Sequence, residues 1–133
     1  MKNKGKTKNK KIIMVVDDNL DLLYSVKKGI EFLSKDYKVV TVESGNKCLQ
    51  LLKETKPDLI LLDIMMPGMD GWDTCAKIKN NKKTTDIPIV FLTAKTDPIS
   101  RSMGSLASID YITKPFDMKY LKKRIEAIIK SNQ

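Results

Sequence analysis

Histidine is absent from this 133-residue chain. Imidazole is therefore unavailable as a base, a zinc ligand or a phosphoryl carrier, which excludes Ser-His-Asp and Cys-His chemistry. Cysteine is scarce: Cys48 and Cys75 are the only two, without CxxC spacing. A disulfide framework or thiolate metal site has little support, and buried free thiols are the expected state. Long apolar runs are missing too. No window nears the ~20 apolar residues needed to cross a bilayer. The run at residues 12–16 follows a basic N-terminus, but it is too short for a signal-peptide core and meets Asp17 and Asp18 at once. A cytoplasmic protein is expected.

What is present fits one globular domain. The composition, 41% hydrophobic and 31% charged, is neither that of a disordered chain nor that of a membrane protein. The net charge of +9 is uneven: residues 1–11 hold six lysines and no acid, against 19 basic and 16 acidic residues elsewhere. Residues 1–10 are read as a basic, solvated and disordered tail, and residues 11–133 as the domain. A sharper reading makes the tail an arm for nucleic acid or another polyanion, on charge alone. Gly5–Lys6–Thr7 resembles the end of a phosphate loop but lacks the upstream glycine and precedes a strand, so it is discarded.

Beyond the tail, short apolar runs alternate with helical spacing. Strands are expected at Lys11–Val16, Tyr37–Val42, and residues 59–62, 87–93 and 109–113. Leu22, Leu23, Val26, Ile30 and Leu33 mark the first helix face. Ser44 is a candidate N-cap before Cys48, Leu51 and Leu52. A third helix follows Gly71 with Trp72, Cys75 and Ile78 on its buried face. Asp97 and Pro98 open a fourth helix, poor in intrinsic propensity because of Ser100, Ser102, Gly104 and Ser105. Asp117 opens a fifth, with Met118, Leu121, Ile125, Ile128 and Ile129 as a core stripe and Phe116 and Leu121 placed as a hydrophobic staple. Lys119, Lys122, Lys123 and Lys130 read as a solvated face of this last helix, with a partner surface as the alternative. No further periodic block follows, so no output domain is expected in this sequence.

Five strands alternating with five helices imply an α/β fold: a doubly wound parallel sheet with helices on both faces. In such sheets ligands bind beyond the carboxyl ends of the strands. Here those ends carry Asp17 and Asp18, then Asp63, then Thr93, and the fifth leads to Lys114. If strands one, three, four and five are neighbours, three carboxylates, a hydroxyl and an ammonium share one crevice. Such carboxylates repel one another, raising the affected pKa values unless cations compensate. Lys114 is one cation, and a divalent ion ligated by oxygen, Mg²⁺ before zinc, is the natural second. This is equipment for phosphoryl transfer to a carboxylate nucleophile.

These segments, "VVDDN", "LLDIMMPGMDG", "FLTAK" and "DYITKPF", together resemble the receiver domain of two-component response regulators, of the stand-alone chemotaxis type, across residues 10–130. The resemblance implies a flavodoxin-like sheet in the order 2-1-3-4-5. It implies that Asp63 accepts a phosphoryl group from a sensor histidine kinase or a histidine phosphotransfer protein, with Asp18, Asp63 and the backbone carbonyl of Met65 on Mg²⁺ and Asp17 acting mainly through metal-bound water. Lys114 would pair with Asp63 and then a phosphoryl oxygen, Thr93 would bond another, and Tyr111 would swing inward as a switch. A cis bond before Pro115 is also implied. A downstream protein would bind the face of the fourth helix, fifth strand and fifth helix. Some residues depart from the family pattern: Ala107 and Ser108 replace a Gly-Ala pair, and Ile109 a commonly acidic residue. Met65 and Lys95 sit where the family varies its phosphoryl lifetime, and Ala94 is small, as the family prefers.

Each residue has a plainer reading. Asp17 could be a turn or cap residue, Thr93 an ordinary strand end, Lys114 a solvated lysine and Tyr111 core. The side chains of Met65, Met66 and Met69 are read as loop packing. The leading function is a phosphorylation switch that catalyses only its own phosphorylation and hydrolysis. An aspartate-dependent phosphatase would need Asp, any residue, Asp, then Thr or Val after the first strand, which "DDNL" does not supply. A nucleic-acid module would rest on the tail alone, since no helix-turn-helix or aromatic RNA platform is present.

Overall fold

The computed structural model describes residues 9–94 and 110–132. The expected fourth helix, Lys95 and the departures at 107–109 lie outside the described residues, as does the tail up to Lys8. The elements run β1 (Lys11–Val16), α1 (Leu20–Leu33), β2 (Tyr37–Val42), α2 (Gly45–Leu51), β3 (Leu59–Asp63), α3 (Gly71–Lys79), β4 (Ile89–Ala94), β5 (Asp110–Lys114) and α4 (Met118–Ser131). The strands form one sheet in the order β2-β1-β3-β4-β5, every pair parallel.

Alternation along each strand divides the core in two. Ile13, Val15, Leu59, Leu61, Val90, Leu92 and Ile112 pack with α1 (Leu23, Val26, Ile30) and α4 (Leu121, Ile125, Ile129). Met14, Val16, Ile60, Leu62 and Phe91 pack on the other face with Cys48 of α2 and Ile78 of α3. Because side chains alternate with a period of two, Asp17 continues the series Ile13–Val15, Asp63 continues Leu59–Leu61, and Lys114 continues Ile112. All three charged ends therefore leave the sheet on its α1/α4 face. Thr93 follows Phe91 on the other.

Side-chain caps set where each helix begins. Asn19 accepts the amide of Leu22 at 3.1 Å, Ser44 that of Lys47 at 3.1 Å, Asp70 that of Asp73 at 2.9 Å and Asp117 that of Lys119 at 2.8 Å. Ser44 and Asp117 are expected caps; Asn19 and Asp70 are additions.

Boundaries shift where turns intrude. β4 starts at Ile89, two residues late, because the amide of Ile87 is taken by the carbonyl of Thr84 in the preceding turn and Pro88 has no amide to donate. At the other end it reaches Ala94, which pairs with Lys114, so Lys114 belongs to β5 instead of following it. Likewise Asp63 is the last residue of β3. Of the two free cysteines, Cys48 is buried but Cys75 only partly so, since Thr74 and Ile78 take the innermost positions of α3. The peptide bond between Lys114 and Pro115 is cis.

Candidate functional site

Three strand ends meet at one edge of the sheet. Val16 pairs with Leu62 and Asp63 with Leu92, so the residue after β1 and the last residue of β3 stand side by side. Asp17 is fully buried and Asp63 is 4% exposed, while Asp18 faces solvent. One carboxylate oxygen from each of Asp17, Asp18 and Asp63 lies within 4.8 Å of the others. Lys114 reaches into this group from β5, donating to Asp17 Oδ2 at 2.8 Å and to Asp63 Oδ1 at 3.2 Å.

The two buried aspartates are not equivalent. Asp17 has both oxygens engaged, because its Oδ1 also accepts the amide of Asn19 at 2.9 Å. Asp63 has Lys114 on Oδ1 only; among the described residues no hydrogen-bond donor reaches its Oδ2. Burial pushes the Asp63 carboxyl up to about 6, and the neighbouring charge of Asp17 adds to this; Lys114 pulls the other way and Asp18 contributes a little more repulsion. Burial would lower the Lys114 ammonium, but the hydrogen bond and charge of Asp17, followed by those of Asp63, hold it above its ordinary value. Lys114 is thus tied more tightly to Asp17 than to Asp63, whereas the family resemblance implies a pairing with Asp63 alone.

One ammonium cannot balance three carboxylates. The unmet charge, the all-oxygen donor set and the solvent-open position of Asp18 suit a hard divalent cation that keeps several waters, as Mg²⁺ does. Asp17, Asp18 and Asp63 are the side chains that could hold it.

The remaining sequence candidates sit around this centre. Thr93 is buried in β4, its hydroxyl donating to the carbonyl of Ala94 at 3.1 Å. It lies one residue beyond Leu92, the register partner of Asp63. Tyr111 pairs with Phe91 and Thr113 with Thr93, which sets Tyr111 diagonally across from Thr93 on the same face of the sheet. Tyr111 is 49% exposed, so its plainer reading as core fails. The methionines divide. Met66 is buried against the α2/α3 side of the core, but the Met65 side chain is 56% exposed, which corrects its reading as loop packing: the loop after β3 turns it out toward solvent.

Two supporting residues escape the sequence reading. Asn19 both caps α1 and orients Asp17, and the signal was there in the Asp-x-Asn spacing of an Asx turn. Gly71 donates its amide to the carbonyl of Ile64 at 2.8 Å and closes the loop between Asp63 and α3.

A profile of the response regulator receiver domain matches residues 13–126. The chain belongs to this family. A solved receiver domain protein, CheY-like, from Methanospirillum hungatei JF-1 is 36% identical with a TM-score of 0.81, covering 93% of this chain and 98% of that one. The alkaline phosphatase synthesis transcriptional regulatory protein PhoP of Bacillus subtilis is 35% identical over 126 residues, 94% of this receiver domain and 50% of that protein. A probable cyclic di-GMP phosphodiesterase of Vibrio cholerae is 34% identical over 122 residues, 91% of this chain and 27% of that protein. The receiver domain thus spans half or less of these two relatives. Among the described residues no helix is long and apolar enough to cross a membrane.

Proposed function

We propose that the receiver domain is a phosphorylation switch in which Asp63 takes a phosphoryl group from a histidine of a sensor histidine kinase or a histidine phosphotransfer protein, then loses it to water. The observation that carries this reading is the pairing of an open Asp63 Oδ2 with a Lys114 ammonium already on Oδ1. In the forward step Asp63 Oδ2 forms the new O–P bond as the N–P bond to the donor imidazole breaks, and the imidazole leaves with the electron pair and takes up a proton. Charge on the phosphoryl oxygens must be held as it shifts, which is most of the catalytic task in such transfers. Lys114, already on Asp63 Oδ1 at 3.2 Å, is the candidate for one oxygen, and the Thr93 hydroxyl for another. A Mg²⁺ ion on Asp17, Asp18, Asp63 and the Met65 carbonyl would neutralise the rest. Hydrolysis reverses the roles, with water attacking phosphorus and the Asp63 carboxylate leaving.

The output follows from displacement. Once Thr93 bonds a phosphoryl oxygen, the space it leaves lies on the same face as Tyr111, whose exposed ring can turn inward and change the surface shared by β5 and α4. A downstream protein would read that face together with the segment before β5. The test is Mg²⁺-dependent reaction with acetyl phosphate, followed by intact mass. The parent gains one phosphoryl group and Asp63→Asn gains none; equal labelling of both would overturn the assignment.

A further inference from the structure

The first helix carries two apolar faces. One packs into the core, where Leu23, Val26 and Ile30 are buried. The other meets water: Leu20, Tyr24 and Phe32 are 60%, 66% and 87% exposed, three of the six exposed large apolar side chains among the described residues. Scattered singly, such residues are ordinary. These three are not scattered, because together with Lys28 they recur every four residues along α1, and side chains four apart are neighbours on a helix surface. They form one ridge, on which the Lys28 ammonium lies over the Tyr24 ring at 5.6 Å from its centroid. The ends of the ridge differ in charge. Asp18 and Asp21 stand exposed beside Leu20, and Lys28 and Lys35 stand exposed beside Phe32. Neither of these lysines has an ion-pair partner among the described residues. Glu31 at the same end is already held by Lys27 at 3.0 Å, which leaves Asp36 as the acid that offsets them.

We propose that this ridge is a docking surface for a second copy of the same chain, through a symmetric, antiparallel pairing of α1 with α1. A two-fold axis crossing the ridge midway between Tyr24 and Lys28 sets each ridge against its copy in reverse. Leu20 then faces Phe32 of the second copy, and Tyr24 faces its Lys28, so the apolar ends cover one another and each ring gains a second ammonium. Ridges built on a four-residue spacing pack into each other's grooves at about 50° in the commonest class of helix contact. The same reversal carries Lys35 of the second copy toward Asp18 and Asp21. Because every contact in such an interface occurs twice, one helix supplies both halves of the charge complementarity, which favours a second copy over an unrelated protein. A parallel pairing would instead set Asp21 against Asp21. The patch is one helix face per copy, small against the roughly 800 Å² per partner of a standard interface. The dimer is therefore transient, with a dissociation constant on the order of 0.1 mM.

The test is sedimentation equilibrium of the full chain at low salt, from about 0.01 mM to about 1 mM. The weight-average mass should climb from that of one chain toward that of two across this range. Phe32→Ser, at a position outside the core, should weaken association on the order of tenfold. Lys35→Glu and Asp21→Lys should each weaken it on the order of tenfold as well, by setting like charges together. An equimolar mixture of these two charge variants should associate as the parent does, because in the mixed pair each reversed charge meets the other and each native charge meets its native partner. Thermal melts establish that all three variants fold. A parent that stays monomeric throughout the range would overturn the proposal. So would parent-like association of Phe32→Ser, or a mixture of the charge variants that recovers nothing.

Discussion

Gly71 stands against the backbone of Asp63. A Cβ built on Gly71 would collide with the Asp63 carbonyl oxygen and lie 2.8 Å from Ile64 Cα, and both obstacles are main chain, which cannot swing aside. The absent side chain therefore lets the first turn of α3 abut the strand that ends in Asp63. Gly71→Ala is expected to cost about 2 kcal/mol, in the range of overpacked cores, and to slow labelling by acetyl phosphate because relief requires moving the Asp63 peptide. Urea melts and labelling rates measure the two effects. Parent-like stability together with parent-like labelling would contradict the geometry.

The raised Asp63 carboxyl fixes a pH dependence with a definite sign. Its pKa rises from 3.8 to about 6 on folding, so between those values the folded state holds a proton that the unfolded state has lost. Ionisation thus opposes folding: the penalty is absent below about pH 4, grows through pH 6 and is complete above it. At about 1.4 kcal/mol per pKa unit, Asp63→Asn should be roughly 2 to 3 kcal/mol more stable than the parent at pH 8, with the difference vanishing toward pH 4. Denaturant melts without divalent ions provide the comparison. A variant less stable than the parent at pH 8 would mean that the carboxylate is not under repulsion.

Mg²⁺ should relieve the same repulsion. Binding to the folded crevice raises stability by about 2.7 kcal/mol at roughly a hundred times the dissociation constant, and chelation with EDTA should return the melting temperature to its starting value. The gain should shrink in Asp18→Asn, which removes the solvent-facing member of the acidic group, and the pH slope attributed to Asp63 should flatten when the ion is present. An Mg²⁺ effect undiminished in Asp18→Asn would place the ion elsewhere.

How much of this was legible follows from the period of two. Alternation along β1, β3 and β5 assigns Asp17, Asp63 and Lys114 to strand ends, a step that depends on apolar pattern, which sequence shows directly; the sheet order that brings them together is implied only by the family resemblance. The partners of Lys114 were less legible, because Asp17 and Asp63 look alike as letters and only the Asn19 amide on Asp17 Oδ1 separates them. Nor could composition reveal Gly71, whose role is a close backbone approach, or Met65, whose exposure depends on the path of a loop. β4 starts later than its apolar run because Ile87 is buried without being in the ladder: burial and strand pairing are different facts.

Lys114→Met isolates the ammonium. Removing it leaves Asp17 and Asp63 buried without their shared cation, at a cost of roughly 3 kcal/mol in the absence of metal. The same change deepens the negative potential of the crevice, so stabilisation by Mg²⁺ should exceed that of the parent even though the variant is weaker overall. Melts with and without Mg²⁺ separate these opposed effects. A smaller Mg²⁺ gain than the parent's would show that Lys114 helps to hold the ion instead of competing with it.

Glu31 should titrate with the opposite sign to Asp63. It sits on α1 beside the edge strand β2, where its Oε2 accepts the amide of Val39 at 2.8 Å and the Lys27 ammonium at 3.0 Å, while Lys27 also donates to the Val39 carbonyl at 2.9 Å. The pair satisfies the amide and carbonyl of Val39, which this edge strand would otherwise offer to another chain. Burial works to raise the Glu31 carboxyl, but the Val39 amide and then Lys27 outweigh it and hold the pKa below its ordinary value. Its contribution is therefore present above the usual glutamate range and lost as pH falls through the depressed value. Glu31→Ala should cost about 1 to 2 kcal/mol at pH 7, cost nothing once the carboxyl is protonated in the parent, and speed hydrogen exchange at Val39. If exchange at Val39 is unchanged, water already replaces the clasp and the stability loss must come from the helix itself.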